Sequence, residues 1–376
     1  MSGIYVHIPF CKQACNYCNF HFSTQLKNKE LLVQMIVKEL ELRADYLTEK
    51  ALTSIYFGGG TPSLLNDREL GMIMDAIADK FTISPTTEIT LEANPDDVTG
   101  DQIATFMRHQ INRLSIGIQS FYDVDLKFMH RAHNAQEAER SVKRSQDKGL
   151  DNITIDLIYG SPTTTDVIWA SNLSKALALD VPHISSYCLT VEEKTLLHHQ
   201  IQKKQLPSLN ASQAVRQFDT LIAQLTQNGY EHYEISNFAR PGRHAIHNTN
   251  YWMGVPYLGL GPAAHSYDAI NRSWNIANNA IYIHQIGQNK LPLEIEVITP
   301  ESRYNEYVMT RLRTKWGVIP EDLALFDTQY QAYFAAEISG QIEKGMVQYI
   351  DGKYLLTPLG KHYADKVAME LFWVED

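Results

Sequence analysis

"HIPFCKQACNYCNFHF", residues 7–22, sets three cysteines, Cys11, Cys15 and Cys18, within eight residues, and places Phe20 where a fourth would fall two positions later. The one other cysteine, Cys188, lies far away. A disulfide framework uses an even number of cysteines spread along a short secreted chain, so a tight cluster points to metal binding or catalysis. Zinc takes four ligands, commonly from paired C-x2-C knuckles. No second knuckle is present here, although His7 or His21 could complete a site. A [4Fe–4S] cluster is normally held by four thiolates, and three leave one iron open to a substrate or cofactor.

The cysteine loop follows an apolar run at 4–8 that reads as a strand, and the pattern then repeats. Helical spacing covers 29–47, 67–81, 101–109, a stretch reaching 148, and 166–179; strands are predicted at 52–57, 88–92, 113–118, 153–159 and 183–189. Strands alternating with helices of this length imply βαβ units and a parallel sheet. Six units in succession predict an α/β fold, a partial (β/α)6 barrel over 1–235. In such folds functional residues collect at the C-terminal ends of the strands. Cys11, Gly59, Glu92, Gln119 and Asp156 all fall within or just beyond successive strands. Glu92 and Asp156 sit in apolar contexts where an isolated carboxylate is costly. Helix capping or pairing with a buried arginine would explain either one alone; five polar positions on one rim favour a ligand site.

The pattern changes after about Gly229. Residues 236–300 are rich in Asn, Gly, Pro, His and Tyr with little helical period, which predicts an irregular connecting region. Residues 301–376 read as a smaller helical, winged-helix-like domain whose Asp351-Gly352 suits a two-residue hairpin turn. That segment holds 8 Lys plus Arg against 12 Asp plus Glu, and the whole chain carries a formal charge of −10, so no nucleic-acid partner is expected. Hydrophobic residues make up 44% of 376 and no apolar run approaches a membrane span, so a cytoplasmic protein is expected. The N-terminus has neither the basic region nor the apolar segment of a signal peptide.

C-x3-C-x2-C after the first strand resembles the radical SAM superfamily. The resemblance implies that the open iron is chelated by S-adenosylmethionine, which an electron from the cluster cleaves to a 5′-deoxyadenosyl radical. "YFGGGTP", residues 56–62, is similar to the superfamily's glycine motif. Alone it is weak; no Lys-Ser or Lys-Thr follows, so it is not a phosphate loop. With "YVHIPFC", "LEANPDD", "RLSIGIQSF", "HRAH" and "IDLIYGSP", most of the chain resembles the oxygen-independent coproporphyrinogen III oxidase group. That resemblance implies contacts to S-adenosylmethionine from Tyr5, Gly59, Gly60, Thr61, Glu92, Gln119, Arg131 and Asp156. From the residues alone, Arg131 could instead pair with Glu92 or Asp156, and Tyr5 could belong to the core.

The decarboxylating oxidases of that group end the motif in a fourth cysteine and carry a longer N-terminal extension. Phe20 instead resembles the heme-chaperone branch, which lacks oxidase activity. "HNTNYW", residues 247–252, matches that branch's H-N-x-x-Y-W pattern. The resemblance implies heme as a third bound group, His247 as its iron ligand, and Tyr251 and Trp252 against the porphyrin. A histidine in such a loop is more often a hydrogen-bonded structural residue. His244, His265 and Cys188 are alternative ligands. Implied partners are heme and heme-accepting proteins, membrane respiratory enzymes among them; a homodimer and a peripheral site at the inner membrane face are left open. The alternative readings are the oxidase itself and a radical SAM enzyme acting on heme.

Overall fold

The structure is a computed structural model and describes residues 1–374. Its strands are β1 (Ser2–Ile8), β2 (Ala51–Gly59), β3 (Thr82–Ala93), β4 (Arg113–Gln119), β5 (Ile153–Tyr159), β6 (His183–Cys188), β7 (Glu231–Glu234), β8 (Asn237–Ala239), β9 (Tyr257–Leu260), β10 (His265–Tyr267), β11 (Asn271–Asn275), β12 (Leu293–Val297), β13 (Val347–Ile350) and β14 (Lys353–Leu356). β1 to β6 pair in chain order and in parallel, with a helix in each crossover. This is the partial (β/α)6 barrel.

Each barrel strand alternates between two environments. Ile4, Val6 and Ile8 of β1, Ile55 and Phe57 of β2, Leu114, Ile116 and Ile118 of β4, and Ile153, Ile155 and Leu157 of β5 are fully buried and join one hydrophobic core with the crossover helices. The opposite face is polar. It carries Tyr5 and His7, Tyr56, Thr90 and Glu92, Arg113 and Ser115, Thr154 and Asp156, and His183 and Ser185, all lining one cavity. Side chains two apart on a strand share a face, so the period of two makes the outer surface a core and the inner one a site.

The predicted helix at 29–47 ends at Leu42, because Arg43 and Glu39 turn into a buried network. The stretch reaching 148 is two helices, Asp123–Phe128 and Ala135–Asp147. Asn134 and Glu137 form a capping box that starts the second. The expectation of an irregular 236–300 needs correction. β9 pairs in parallel with β1 (Gly3 with Tyr257), and β10, β11 and β12 extend the sheet from it, while β8 and β7 close its other edge. These strands are three to five residues long, too short for an alternation to stand out.

β13 and β14 form the predicted hairpin, with Asp351 at φ 50° and Gly352 at φ 78°. Two left-handed residues match the twist of the flanking strands. The helices after residue 300 and this hairpin share a separate core that includes Tyr304, Val308, Tyr330, Phe334 and Leu371. Among the described residues no helix is long and apolar enough to cross a membrane.

Glu39 ties the sheet extension to the barrel. It is fully buried and accepts from Arg43 (3.0 Å), the Gly261 amide (2.8 Å), Asn275 (2.7 Å) and the Tyr282 hydroxyl (2.6 Å). Glu39→Ala would leave Arg43 a buried charge without its counter-ion. We expect a stability loss of about 3–5 kcal/mol in urea unfolding. A loss under about 1 kcal/mol would mean that the Gly259 carbonyl and Ser266, which also accept from Arg43, suffice.

Candidate functional site

The inner face of the barrel opens into a cavity of about 1360 Å³. At its mouth lies the cysteine loop. Cys11, Cys15 and Cys18 are partly exposed and all line the cavity, as does Phe20, which is 69% exposed. Among the described residues no three His, Cys, Asp or Glu side chains converge as a single metal ion requires. A cubane cluster presents its irons at separate corners, so its thiolates need not meet at one point. Arg131 reaches into the loop, with Nη1 3.4 Å from the Cys15 Sγ and Nη2 donating to Asn94 Oδ1 and the Gly117 carbonyl, each at 2.8 Å. It pairs with neither Glu92 nor Asp156. Its buried Nε has no partner, a donor left for a ligand.

The barrel strands supply two carboxylates, Glu92 near the end of β3 and Asp156 in the middle of β5. Glu92 accepts from the Tyr56 hydroxyl at 2.8 Å and from the Gly59 amide at 3.2 Å. Burial raises its pKa to about 7 against the Tyr56 hydrogen bond, and the charge of Asp156 adds to the rise. Asp156 accepts from Ser115 at 3.3 Å, and burial raises it to about 6. Neither has a cation of its own, so a cationic or hydroxyl-bearing ligand would relieve both. Gly59 has φ +108°, and a Cβ there would lie 2.6 Å from the His7 ring; a Cβ on Gly60 would lie 2.7 Å from the Phe10 carbonyl oxygen. Only glycine lets this turn lie against β1. Thr61 is buried beside Asn94, whose Nδ2 donates to its Oγ1 at 3.3 Å. Gln119 ends β4 in a left-handed conformation, φ 65°, after a register shift in the β4–β5 pairing. That strained backbone turns its side chain toward the cavity it lines.

"HNTNYW" forms most of a short helix, Ile246–Trp252, at the inner end of the cavity. The Glu88 carboxylate caps it, accepting from the amides of Ile246 and His247 at 3.0 Å each. His247 is 3% exposed, with Nδ1 2.8 Å from Ser54 Oγ and Nε2 3.2 Å from the Tyr251 hydroxyl. Burial lowers its pKa to about 3, so the ring is neutral. His247 and Tyr251 line the cavity; Trp252 does not, and its ring instead lies 5.6 Å from the Arg313 guanidinium. His244 also lies elsewhere, bonded to Glu231 at 2.9 Å. His265 and Cys188 line the cavity.

The sequence reading missed Tyr56, Asn94 and Ser115, which hold Glu92, Arg131 and Asp156 in place. Their signal is the period of two: Tyr56 shares a strand face with Gly58, Asn94 follows Glu92 by two, and Ser115 precedes Gly117 and Gln119.

Three thiols after the first strand, a glycine turn at the end of the second, and polar residues on the inner face of the next three are the layout of one class of protein. Residues 5–170 match the Radical SAM superfamily. Membership implies a [4Fe–4S] cluster and S-adenosylmethionine as the resident groups. The solved structure of coproporphyrinogen III oxidase (HemN) from Escherichia coli superposes with a TM-score of 0.85 over 99% of this chain and 90% of that one; at 22% identity the likeness is one of fold. Over its whole length the chain is 32% identical to the heme chaperone HemW of Lactococcus lactis subsp. lactis, covering 98% of that protein. It is 30% identical to the protein of that name in Bacillus subtilis, over 98% of each. The chain belongs to the HemW family.

Proposed function

We propose that the protein binds heme and hands it to heme-dependent proteins, respiratory enzymes among them, and carries a [4Fe–4S] cluster and S-adenosylmethionine in the same barrel. The observation that carries this reading is the single cavity. Its volume exceeds the ~300–1,000 Å³ of a pocket for one small ligand. It joins a three-thiol loop to the helix of the H-N-x-x-Y-W motif. The curated relatives that match over the full length bear the name heme chaperone.

Cys11, Cys15 and Cys18 hold the cluster, and Phe20, with no donor atom, leaves the fourth iron to S-adenosylmethionine. When bound, the cluster supplies one electron at that iron. Glu92 and Asp156 accept hydrogen bonds from ligand hydroxyls or its amino group. Arg131, held by Asn94 and Gly117, offers its free Nε–H to a ligand carboxylate. Tyr5, Gly59, Gly60, Thr61 and Gln119 complete the wall.

An anaerobic assay tests this reading against the oxidase one. Protein with its cluster and S-adenosylmethionine, given a reductant and coproporphyrinogen III, is expected to yield no protoporphyrinogen by mass. Sustained product would defeat the carrier reading and make Phe20 a tolerated departure.

A further inference from the structure

Given that the protein carries heme, the structure raises the question of which side chain meets the iron. Five histidines line the cavity: His7, His21, His183, His247 and His265. Four are engaged. His7 bonds the Tyr5 hydroxyl at 3.0 Å and the His21 carbonyl at 3.1 Å. His183 bonds Thr154 at 3.2 Å and Tyr233 at 2.8 Å. His247 has both nitrogens occupied as described, whereas His21 has only Nε2 engaged, with Asn279 at 2.7 Å. An axial nitrogen must present its lone pair to the metal, so a ring with both nitrogens in hydrogen bonds must first lose one. His265 is exposed, and among the described residues neither of its ring nitrogens has a hydrogen-bond partner.

The backbone that presents His265 is rigid. Gly261, at φ +98°, packs so close to β1 that a Cβ would lie 2.5 Å from the His7 carbonyl oxygen. Ala263 is held at φ 60° and donates to the Ile276 carbonyl at 3.2 Å. Strain in a non-glycine residue persists where the surroundings enforce it and is concentrated at ligand sites. One face of the ring stacks on Trp274, centroids 5.8 Å apart. Phe20, Phe22, Ala263 and Ala277 line the same cavity and supply apolar surface for a porphyrin.

We infer that His265 is the axial ligand of the heme iron, and that heme lies at the mouth of the cavity near Phe20 while His247 serves as a structural residue of the inner wall. Phe20 is then more than a lost ligand: it is a surface for the macrocycle.

The test is pulsed electron paramagnetic resonance of the ferric heme complex, with heme loss to apomyoglobin followed in parallel. H265A is expected to lose the imidazole-nitrogen coupling and to release heme at least ~10-fold faster, the loss that even a supporting partner of a metal site produces. Free imidazole should restore the coupling, and H265M should move the visible spectrum to that of a thioether ligand. H247N should keep the coupling. Coupling and release unchanged in H265A, or lost only in H247N, would overturn the assignment and leave the heme-carrier reading intact. A wild-type protein that binds no heme would overturn both.

Discussion

Cys11, Cys15 and Cys18 replaced together by alanine are expected to bind no iron after anaerobic reconstitution, where the parent binds about four atoms per chain. Each single substitution should be nearly as severe. The loop offers three thiols, Phe20 ends the run, and Cys188 lies at the end of β6. No spare sulfur within the loop therefore stands ready to replace a lost ligand. Burial raises the Cys11 thiol to about 11 in the metal-free protein, so the cluster must draw off that proton as it binds. Iron analysis with visible absorbance reads the outcome. Heme affinity should persist in the triple variant if His265 is the ligand. A triple variant that keeps its iron would place the cluster elsewhere.

E92Q is expected to weaken S-adenosylmethionine binding by roughly 10–100-fold, the value of one or two hydrogen bonds to a charged acceptor. The same change should stabilise the ligand-free protein, and in a pH-dependent way. The ordinary value for Glu92 is 4.5 and the folded value is about 7. Below the ordinary value both folded and unfolded chains carry the proton, and the group is neutral to stability. Between there and about pH 7 the unfolded chain has lost it and the folded chain has not, so the parent loses stability as pH rises. Above about pH 7 the difference is constant. Asp156 acts in the same direction, from 3.8 to about 6. The advantage of E92Q should therefore grow from pH 5 to pH 8, toward about 3 kcal/mol. Calorimetric binding and denaturation at the two pH values measure both effects. An advantage that shrinks with rising pH would show that Glu92 is ionised comfortably in the empty site.

The barrel was legible because its strands bury one whole face. Runs such as 153–159 and 183–189 stand out as apolar segments between helices, and the six-unit order follows from them. The polar rim was partly legible, since Cys11, Gly59, Glu92 and Gln119 fall at or just beyond strand ends and Asp156 stands out as a carboxylate within an apolar strand. What holds them was not. Tyr56, Asn94 and Ser115 are ordinary polar residues whose meaning lies in sharing the inner face with a carboxylate or Arg131. The sheet extension was missed for a different reason. β9 to β12 are short, and β9 meets β1 across more than 250 residues of sequence, so nothing local announces the pairing. The H-N-x-x-Y-W motif was found, but sequence treats its members alike. The helix it forms sends His247 into the wall and Trp252 toward Arg313, which only the packing reveals.

As proposed, this barrel carries heme and gives it up unchanged. The most direct test is to load the protein with heme, with its cluster and S-adenosylmethionine in place, mix it with an apo-cytochrome under anaerobic conditions, and identify the tetrapyrrole that arrives by mass. Intact heme is expected in the acceptor, delivered faster than from free heme adsorbed on an inert protein. Heme that never leaves, or a cleaved or modified macrocycle in its place, would contradict it.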